Sequence, residues 1–265
     1  MELSKAGHAF ITGGASGIGL GAARALAARG VRVTVADINP ETVAAASDQS
    51  EGRIRGVVLD VRDRAAWAAA KAQAEAAFGQ VDLLINNAGI CSVGYELADM
   101  DPEAFDRVVG VNLFGVYNGI ATFAPDMRAR RSGHIVNTAS VVGISAPTTG
   151  VGGSYVASKF GVVGLSEVLR MEMAPHGVGV SVLCPGHIAT GMGRNTAIIG
   201  GDVRAVPGMT SGPGGKVEDV ACDLLAGIEA DAFYILTHCL EEWPGVERRS
   251  NELRDAFDAA RSRVG

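Results

Sequence analysis

Residues 8–37 constrain the fold of this chain more than any other stretch. His8–Thr12 (HAFIT) is a short β-rich run that meets the cluster Gly13, Gly14, Ala15, Ser16, Gly17, Ile18, Gly19. Ile18–Arg29 is Ala-rich and reads as a helix that stops at Gly30, and Val31–Ala36 (VRVTVA) reads as a second strand ending in Asp37. A strand, a glycine turn and a helix N-terminus make an anion site. Glycines let the backbone approach a pyrophosphate, and free N–H groups and the helix dipole hold it. A glycine cluster alone is explained by turn chemistry. The carboxylate changes that, because Asp37 falls 18 residues after Gly19 and 24 after Gly13. A dinucleotide fold places its acceptor for ribose hydroxyls there.

The alternation continues to the end of the chain. Residues 41–48 read as a helix, Ile54–Leu59 as a strand running to Asp60-Val61, and 63–78 as a long Ala-rich helix. Val81–Ile85 (VDLLI) is a near-continuous apolar strand, as expected where helices cover both faces of a parallel sheet. Helices over 102–126, 153–174 and 217–229 alternate with strands at 134–138, 178–183 and 233–237. Seven strands and six helices predict an α/β fold: a doubly wound, seven-stranded parallel sheet (Rossmann-type) in a single domain over 1–265. Neither an internal repeat nor a shift in composition marks a second domain. The 36 glycines, roughly twice the usual share of about 7%, cluster where a chain turns or meets a ligand closely.

Charge and cysteine usage exclude several classes. A net charge of −6, with no basic run beyond Arg128–Arg131, argues against nucleic acid as a partner. The first residues, MELSKAGHAFITGG, lack the regions of a signal peptide. Residues 132–158 carry no Asp, Glu, Lys or Arg, but their Gly, Ser, Thr and Pro147 fit a buried strand and active-site loop, so no membrane span is expected. Cys91, Cys184, Cys222 and Cys239 show no C-x-x-C spacing, which predicts neither disulfides nor a metal site and points to a reduced, cytoplasmic protein.

Chemistry concentrates in Ser140–Lys159 (SVVGISAPTTGVGGSYVASK). Tyr155 and Lys159 lie four residues apart, on one face of a helix. An ammonium beside a phenol favours phenolate, so the tyrosine pKa is expected to fall from about 10 toward a working pH. Ser140, just upstream, can bind the same substrate oxygen from another direction.

Several motifs stand in one order: TGGASGIG (12–19), Asp60-Val61, NNAG (86–89), Asn112 in GVNL, Ser140 in NTASVVG, YVASK (155–159) and PGHIAT (185–190). Together they resemble the short-chain dehydrogenase/reductase family over about residues 8–240. The resemblance implies that Tyr155 takes the alcohol proton or returns it to the carbonyl, and that Lys159 lowers its pKa and binds the nicotinamide ribose. It implies that Ser140 stabilises the reacting oxygen, and that Asn112 holds a water linking Lys159 to solvent. Gly13, Ser16, Ile18 and Gly19 would surround the pyrophosphate, Asp37 the adenosine ribose, and Asp60 and Val61 the adenine. Asn87 and Gly89 would lie along the cofactor, and Pro185, Gly186, Ile188 and Thr190 would hold its nicotinamide end. Asn86 reads as structural.

Two features depart from the family pattern. Ser140 and Tyr155 are 15 residues apart, with the extra length in Thr148–Gly153, and Ser145 and Ser154 are the alternative serines. The chain also continues past the usual ending into an amphipathic helix over 244–263, with Val246, Leu253, Phe257, Ala260 and Val264 on one side. It could cover the active-site mouth, form a subunit interface or pack on its own domain. Residues 190–216, with Met192, Ile198, Ile199, Val206 and Met209, read as an apolar substrate lid suited to a neutral hydrophobic alcohol or ketone. Arg194 and Arg204 keep a carboxylate-bearing substrate open.

The reading is thus an NAD-dependent oxidoreductase interconverting a secondary alcohol and its ketone. Asp37 at the ribose position favours NAD, and Ile38 and Ser16 stand where, as the resemblance implies, NADP-preferring relatives carry a basic residue. The alternatives are an NADPH-dependent ketoacyl-type reductase and a non-catalytic NAD-binding regulator, and a pure sensor needs no tyrosine base. The resemblance also implies a homo-oligomer, a tetramer, packed through the helices at 102–126 and 153–174, the latter with Phe160, Val163 and Leu165.

Overall fold

The computed structural model describes residues 1–48, 50–91, 96–146, 152–190, 192 and 214–263. Seven strands form one parallel sheet: β1 (His8–Thr12), β2 (Arg32–Asp37), β3 (Ile54–Val58), β4 (Leu83–Asn86), β5 (His134–Thr138), β6 (Gly179–Pro185) and β7 (Tyr234–Thr237). Their spatial order is β3-β2-β1-β4-β5-β6-β7, so the chain reverses its direction of travel between β1 and β4. Helices α1 (Gly17–Ala28), α2 (Pro40–Asp48), α3 (Arg64–Phe78), α4 (Pro102–Val109), α5 (Gly115–Arg130), α6 (Gly153–Met173) and α7 (Val217–Glu229) join the strands, and α8 (Trp243–Arg261) ends the fold. Every residue of β1 is buried, as a strand covered on both faces requires.

Adjacent residues of a strand feed opposite cores. On one face Phe10 meets Phe123 at a ring-centroid separation of 4.9 Å and Trp67 at 6.2 Å, under α3, α5 and α6. On the other, Ile11, Val35, Leu83 and Leu183 pack against Ala22 and Leu26 of α1 and Val220, Leu224 and Ile228 of α7. Asn86 and Asn137 stand opposite each other on β4 and β5, and Asn86 Nδ2 donates to Asn137 Oδ1 at 2.9 Å. Asn137 Nδ2 in turn donates to Ser166 Oγ at 3.0 Å, so the pair fastens the sheet to α6.

The run predicted as one helix over 102–126 is instead α4 and α5 joined by a π turn, Gly110–Phe114, and it extends to Arg130. By length and composition Pro102–Arg130 is apolar enough to cross a membrane. Here 56% of its most apolar window is buried, as in a core helix. The apolar residues read as a lid over 190–216 lie mostly outside the described residues, as do 147–151. The two ends of the longer segment are nevertheless held together, because Ile188 bridges Gly215, Ala189 N donates to Gly215 O at 3.1 Å and Gly215 N to His187 O at 2.9 Å.

Two buried histidines at strand starts set an acid limit on stability. Ser181 Oγ donates to Ala232 O at 2.6 Å, so His134 Nε2, 2.9 Å away, must supply the hydrogen of their bond. That leaves His134 Nδ1 buried with no partner for an added proton, and burial lowers its pKa to about 4. Burial also lowers His8, the largest of its causes. A histidine neutral in the fold and protonated in the unfolded chain contributes stability that is complete above the unfolded value of about 6.5 and lost as pH falls through the folded value. Unfolding by urea at pH 7 and pH 4.5 should therefore show a loss, with His134 contributing up to about 3 kcal/mol by the time pH reaches its folded value. A His134→Gln variant with an unchanged pH slope would remove this assignment.

Candidate active site

The site lies along the C-terminal edge of the sheet, at the crevice where strand order reverses between β1 and β4. The glycine loop leaves β1 and enters α1, and its tightness is steric. A Cβ on Gly19 would lie 2.2 Å from Gly13 O and 2.7 Å from Asn87 Nδ2, and one on Gly13 would lie 2.8 Å from Ala88 Cα. Asn87 binds this loop to the end of β4, donating from Nδ2 to Thr12 O at 3.1 Å and to Gly13 O at 3.3 Å. Thr12 Oγ1 accepts from the backbone N–H of both Asn87 (2.9 Å) and Ala88 (3.0 Å). Ser16 caps α1 in extended backbone, Ile18 sits partly buried in its first turn, and the Thr190 side chain lies 3.5 Å from where a Cβ on Gly17 would be.

Asp37 closes β2. Its carboxylate accepts from Ala15 N at 3.3 Å and Asn39 N at 3.4 Å. Burial raises its pKa, against the lowering by these N–H groups. A carboxylate offers about four lone-pair sites, so capacity remains for ribose hydroxyls. Two residues past the end of β3, the Asp60 carboxylate is paired with Arg62. Arg62 Nη2 reaches Asp60 Oδ2 at 2.6 Å, Arg62 Nε reaches both oxygens at 3.0 and 3.1 Å, and the pair holds the Asp60 carboxyl below its usual range. Val61 is buried, and its carbonyl accepts from Trp67 Nε1 at 3.0 Å and Asn118 Nδ2 at 2.9 Å.

The second half of the site gathers side chains from β4, β5, β6, the π turn and α6. Lys159 is 2% exposed, and its Nζ donates to Thr138 O at 2.9 Å and lies 5.5 Å from the centroid of the Tyr155 ring. Ser140 stands close enough to the Tyr155 phenol to lower its pKa, against the burial that raises it. Ser140 Oγ donates to Pro185 O at 3.3 Å, and Val142 N donates to Ser140 Oγ at 3.4 Å. A Cβ on Gly89 would lie 3.5 Å from Asn112 Oδ1 and 3.6 Å from Lys159 Nζ, so three separate elements converge on this glycine. Of the alternative serines, Ser154 is fully buried with no partner for its hydroxyl, and Ser145 Oγ lies 2.5 Å from where a Cβ on Gly245 of α8 would be. Ser140 is the serine that acts on the Tyr155 phenol.

Two expectations are corrected. Lysine proximity was expected to lower the phenol; instead burial pushes Tyr155 up to about 12 and Lys159 down to about 8. Both shifts have one cause, because a desolvated site disfavours whichever form carries charge. Asn112, expected in the middle of an unbroken helix, lies instead in the π turn. Both hydrogens of its amide are already committed, to Ile90 O at 2.9 Å and Ser158 Oγ at 3.2 Å, and its Oδ1 accepts from Ile90 N at 2.9 Å. The π turn swings this side chain onto the strand-end loop, so it acts there as a strut.

At the far end Gly186 N donates to Thr237 O at 2.9 Å, and Ile188 is buried beneath the bridge to Gly215. The residues fit a dinucleotide: a loop whose Cβ positions are filled by backbone, a carboxylate with acceptors to spare at the ribose position, and a polar triad at the opposite end. Sequence reasoning missed two contributors. Thr12 ties β1 to β4, a task that a lone strand-end threonine does not advertise. Arg62 takes up Asp60, and only its spacing of two residues hinted at that.

Comparison with known proteins agrees with this geometry. A family model described as short chain dehydrogenase matches residues 7–198. The C alpha-dehydrogenase of Sphingobium sp. strain SYK-6 is 34% identical, over 97% of this chain and 90% of that protein. The 3-alpha-(or 20-beta)-hydroxysteroid dehydrogenase of Mycobacterium tuberculosis is 36% identical over 69% of this chain and 70% of its own length. Among solved structures, a short-chain dehydrogenase/reductase from Burkholderia phymatum in complex with NAD superposes with a TM-score of 0.86 at 32% identity, covering 96% of each chain. Fold, site and sequence agree: the chain belongs to the short-chain dehydrogenase/reductase family of oxidoreductases.

Proposed function

We propose that the protein is an NAD-dependent oxidoreductase that interconverts a hydrophobic secondary alcohol and its ketone. The observation that carries this reading is the grouping at the end of β5 and on α6: Ser140 beside the Tyr155 phenol, with Lys159 buried next to the ring. When bound, the nicotinamide supplies the hydride acceptor or donor. Tyr155 takes the proton from the alcohol oxygen at its phenolic oxygen, or returns it to the ketone oxygen. Ser140 binds that same oxygen and steadies the charge developing on it. Lys159, anchored on Thr138 O, stands beside the ring as the cation that favours phenolate. Asn112 positions the Gly89–Ile90 segment against Lys159. The glycine loop, Asp37, Asn87 and the segment Pro185–Thr190 hold and orient the dinucleotide, with Asp60 and Val61 beside the adenine.

The names of the relatives support the alcohol class, since both describe dehydrogenases, one acting at a C alpha position and one at steroid hydroxyls. The free cysteines accord with a cytoplasmic protein, and the exposed apolar residues of α5 and α6 accord with a tetramer. Two of the three residues first assigned to the α6 interface face inward, however, and the third, Phe160, lies under the Arg249 guanidinium. Val163 is buried in the core and Leu165 packs against it, whereas Val168, Met171, Phe114 (in the π turn) and Tyr117 are the exposed ones. A turnover screen with NAD and NADP over neutral aryl or cyclic secondary alcohols, their ketones, and phosphorylated or coenzyme-A-linked counterparts tests the substrate reading. Neutral substrates should be preferred. A clear preference for the phosphorylated or coenzyme-A-linked set would overturn it.

A further inference from the structure

Helix α8 is 19 residues long and none of them is buried. Among the described residues its contacts with the body of the protein gather at its root, where Gly245 and Val246 are half-buried. A Cβ on Gly245 would lie 2.5 Å from Ser145 Oγ, and the Arg249 guanidinium lies over the Phe160 ring, 5.1 Å from its centroid. Neither of the residues that make these contacts belongs to the helix's apolar stripe. That stripe is Trp243, Val246, Ser250, Leu253, Phe257 and Ala260, recurring at alternating steps of three and four residues with one small polar member. This is the 3.5-residue period of helices that pair along a seam. Trp243 is 61% exposed, Leu253 47% and Phe257 65%, a row of large apolar side chains that a solitary surface helix does not need.

We propose that α8 pairs with α8 of a second copy of this chain, antiparallel, across a two-fold axis. The seam is self-complementary in size. With Ser250 set against the partner's Leu253, Val246 falls against the partner's Phe257 and Trp243 against the partner's Ala260, so each layer joins a large residue to a smaller one. It is also self-complementary in charge. The seam is flanked by Glu247, Arg254 and Arg261 on one side and Arg249, Ala256 and Arg263 on the other. In an antiparallel pair Glu247 faces the partner's Arg254, twice by symmetry, while Arg249 faces the partner's Ala256. The ion pairs α8 makes within the chain, Arg248–Glu252 and Arg261–Asp258, leave Glu247 and Arg254 available for this. A parallel pair would instead stack Trp243 on its own copy and set Arg249 against the partner's Arg254. Size and charge therefore choose the antiparallel arrangement and name the occupant. The root of α8 rests on Ser145, five residues beyond Ser140, so the paired helices would brace that wall of the active site.

The experiment reads particle mass, independently of any activity. Leu253→Asp with Phe257→Asp alters residues exposed in the monomer, so folding measured by circular dichroism should be unchanged. At micromolar concentration its mass by light scattering should be half that of the wild type, with the pairing constant weakened at least about 100-fold. Glu247→Arg and Arg254→Glu should each weaken assembly by about tenfold, and an equimolar mixture of the two should recover it, because unlike charges face each other again in the mixed pair. A wild type that is monomeric, a double aspartate variant of unchanged mass, or a mixture that fails to recover would each overturn the proposal.

Discussion

Replacing Tyr155 with phenylalanine is expected to leave nicotinamide binding nearly intact while turnover falls by several orders of magnitude. Losing a positioned acid–base group costs about 10²–10⁴-fold, and more where proton and hydride move together. The ring itself stays, so the packing against α6 and the bond network around Lys159 are disturbed only at the phenolic oxygen. The pH dependence carries the same assignment. In the cofactor-free fold burial holds the phenol near 12 and the Lys159 ammonium near 8, so at neutral pH the phenol is protonated and the lysine charged. Alcohol oxidation needs the phenolate and should rise with pH. Ketone reduction needs the phenol and should fall once it ionises. The oxidised nicotinamide carries a positive charge, which favours phenolate, so oxidation should rise through an apparent pKa below the free-tyrosine value of about 10. An ultraviolet titration of the cofactor-free protein should find Tyr155 still protonated there. Near-wild-type turnover in the phenylalanine variant would sink the assignment.

The second large effect concerns the choice of nicotinamide. NADP carries an extra phosphate on the adenosine ribose, and the end of β2 meets that position with a carboxylate. Asp37 is desolvated and is met by the backbone N–H groups of Ala15, Ile38 and Asn39, so a dianionic phosphate would face an unneutralised like charge. The next residue, Ile38, and Ser16 in the loop offer no cation. Arg62, the nearest basic candidate, is already bidentate on Asp60. NAD is therefore expected to exceed NADP by at least about 10²-fold in kcat/KM, or about 2.7 kcal/mol. Asp37→Ser with Ile38→Arg should shift the preference toward NADP. Equal kcat/KM values in the wild type, or an NADP preference, would mean Asp37 does not have this role.

Local patterns foretold most of the fold because each element carried its own signal. The strands at 8–12 and 134–138 and the helix at 217–229 fall where they were read. Most other helices and strands shift by a residue or two at their ends, where fraying and caps decide. The one misread element is the helix through Asn112. Its sequence is compatible with an unbroken α-helix, and the π turn exists because Ile90 offers both an N–H and a carbonyl to that amide from 22 residues away. A contact so distant along the chain leaves no periodic trace.

The candidate site divides in the same way. Which residues line it was legible, since glycines, a strand-end carboxylate and a Tyr–Lys pair at helical spacing are chemical signals written in order along the chain. Their electrostatics were not. Spacing brings an ammonium to a phenol, but only the packed interior determines that both are desolvated, and here burial outweighs the attraction and moves the phenol upward rather than down. The same holds for Asp60, whose carboxylate is committed to Arg62, and for α8, whose stripe was visible but whose lack of a covering surface was not. The sequence by itself determined the parallel sheet, the family and which residues are candidates for the site, because these depend on local period and residue type. The tertiary structure alone decided which charges are paired, which are buried and which apolar face is left open, because those depend on what the rest of the chain places around them.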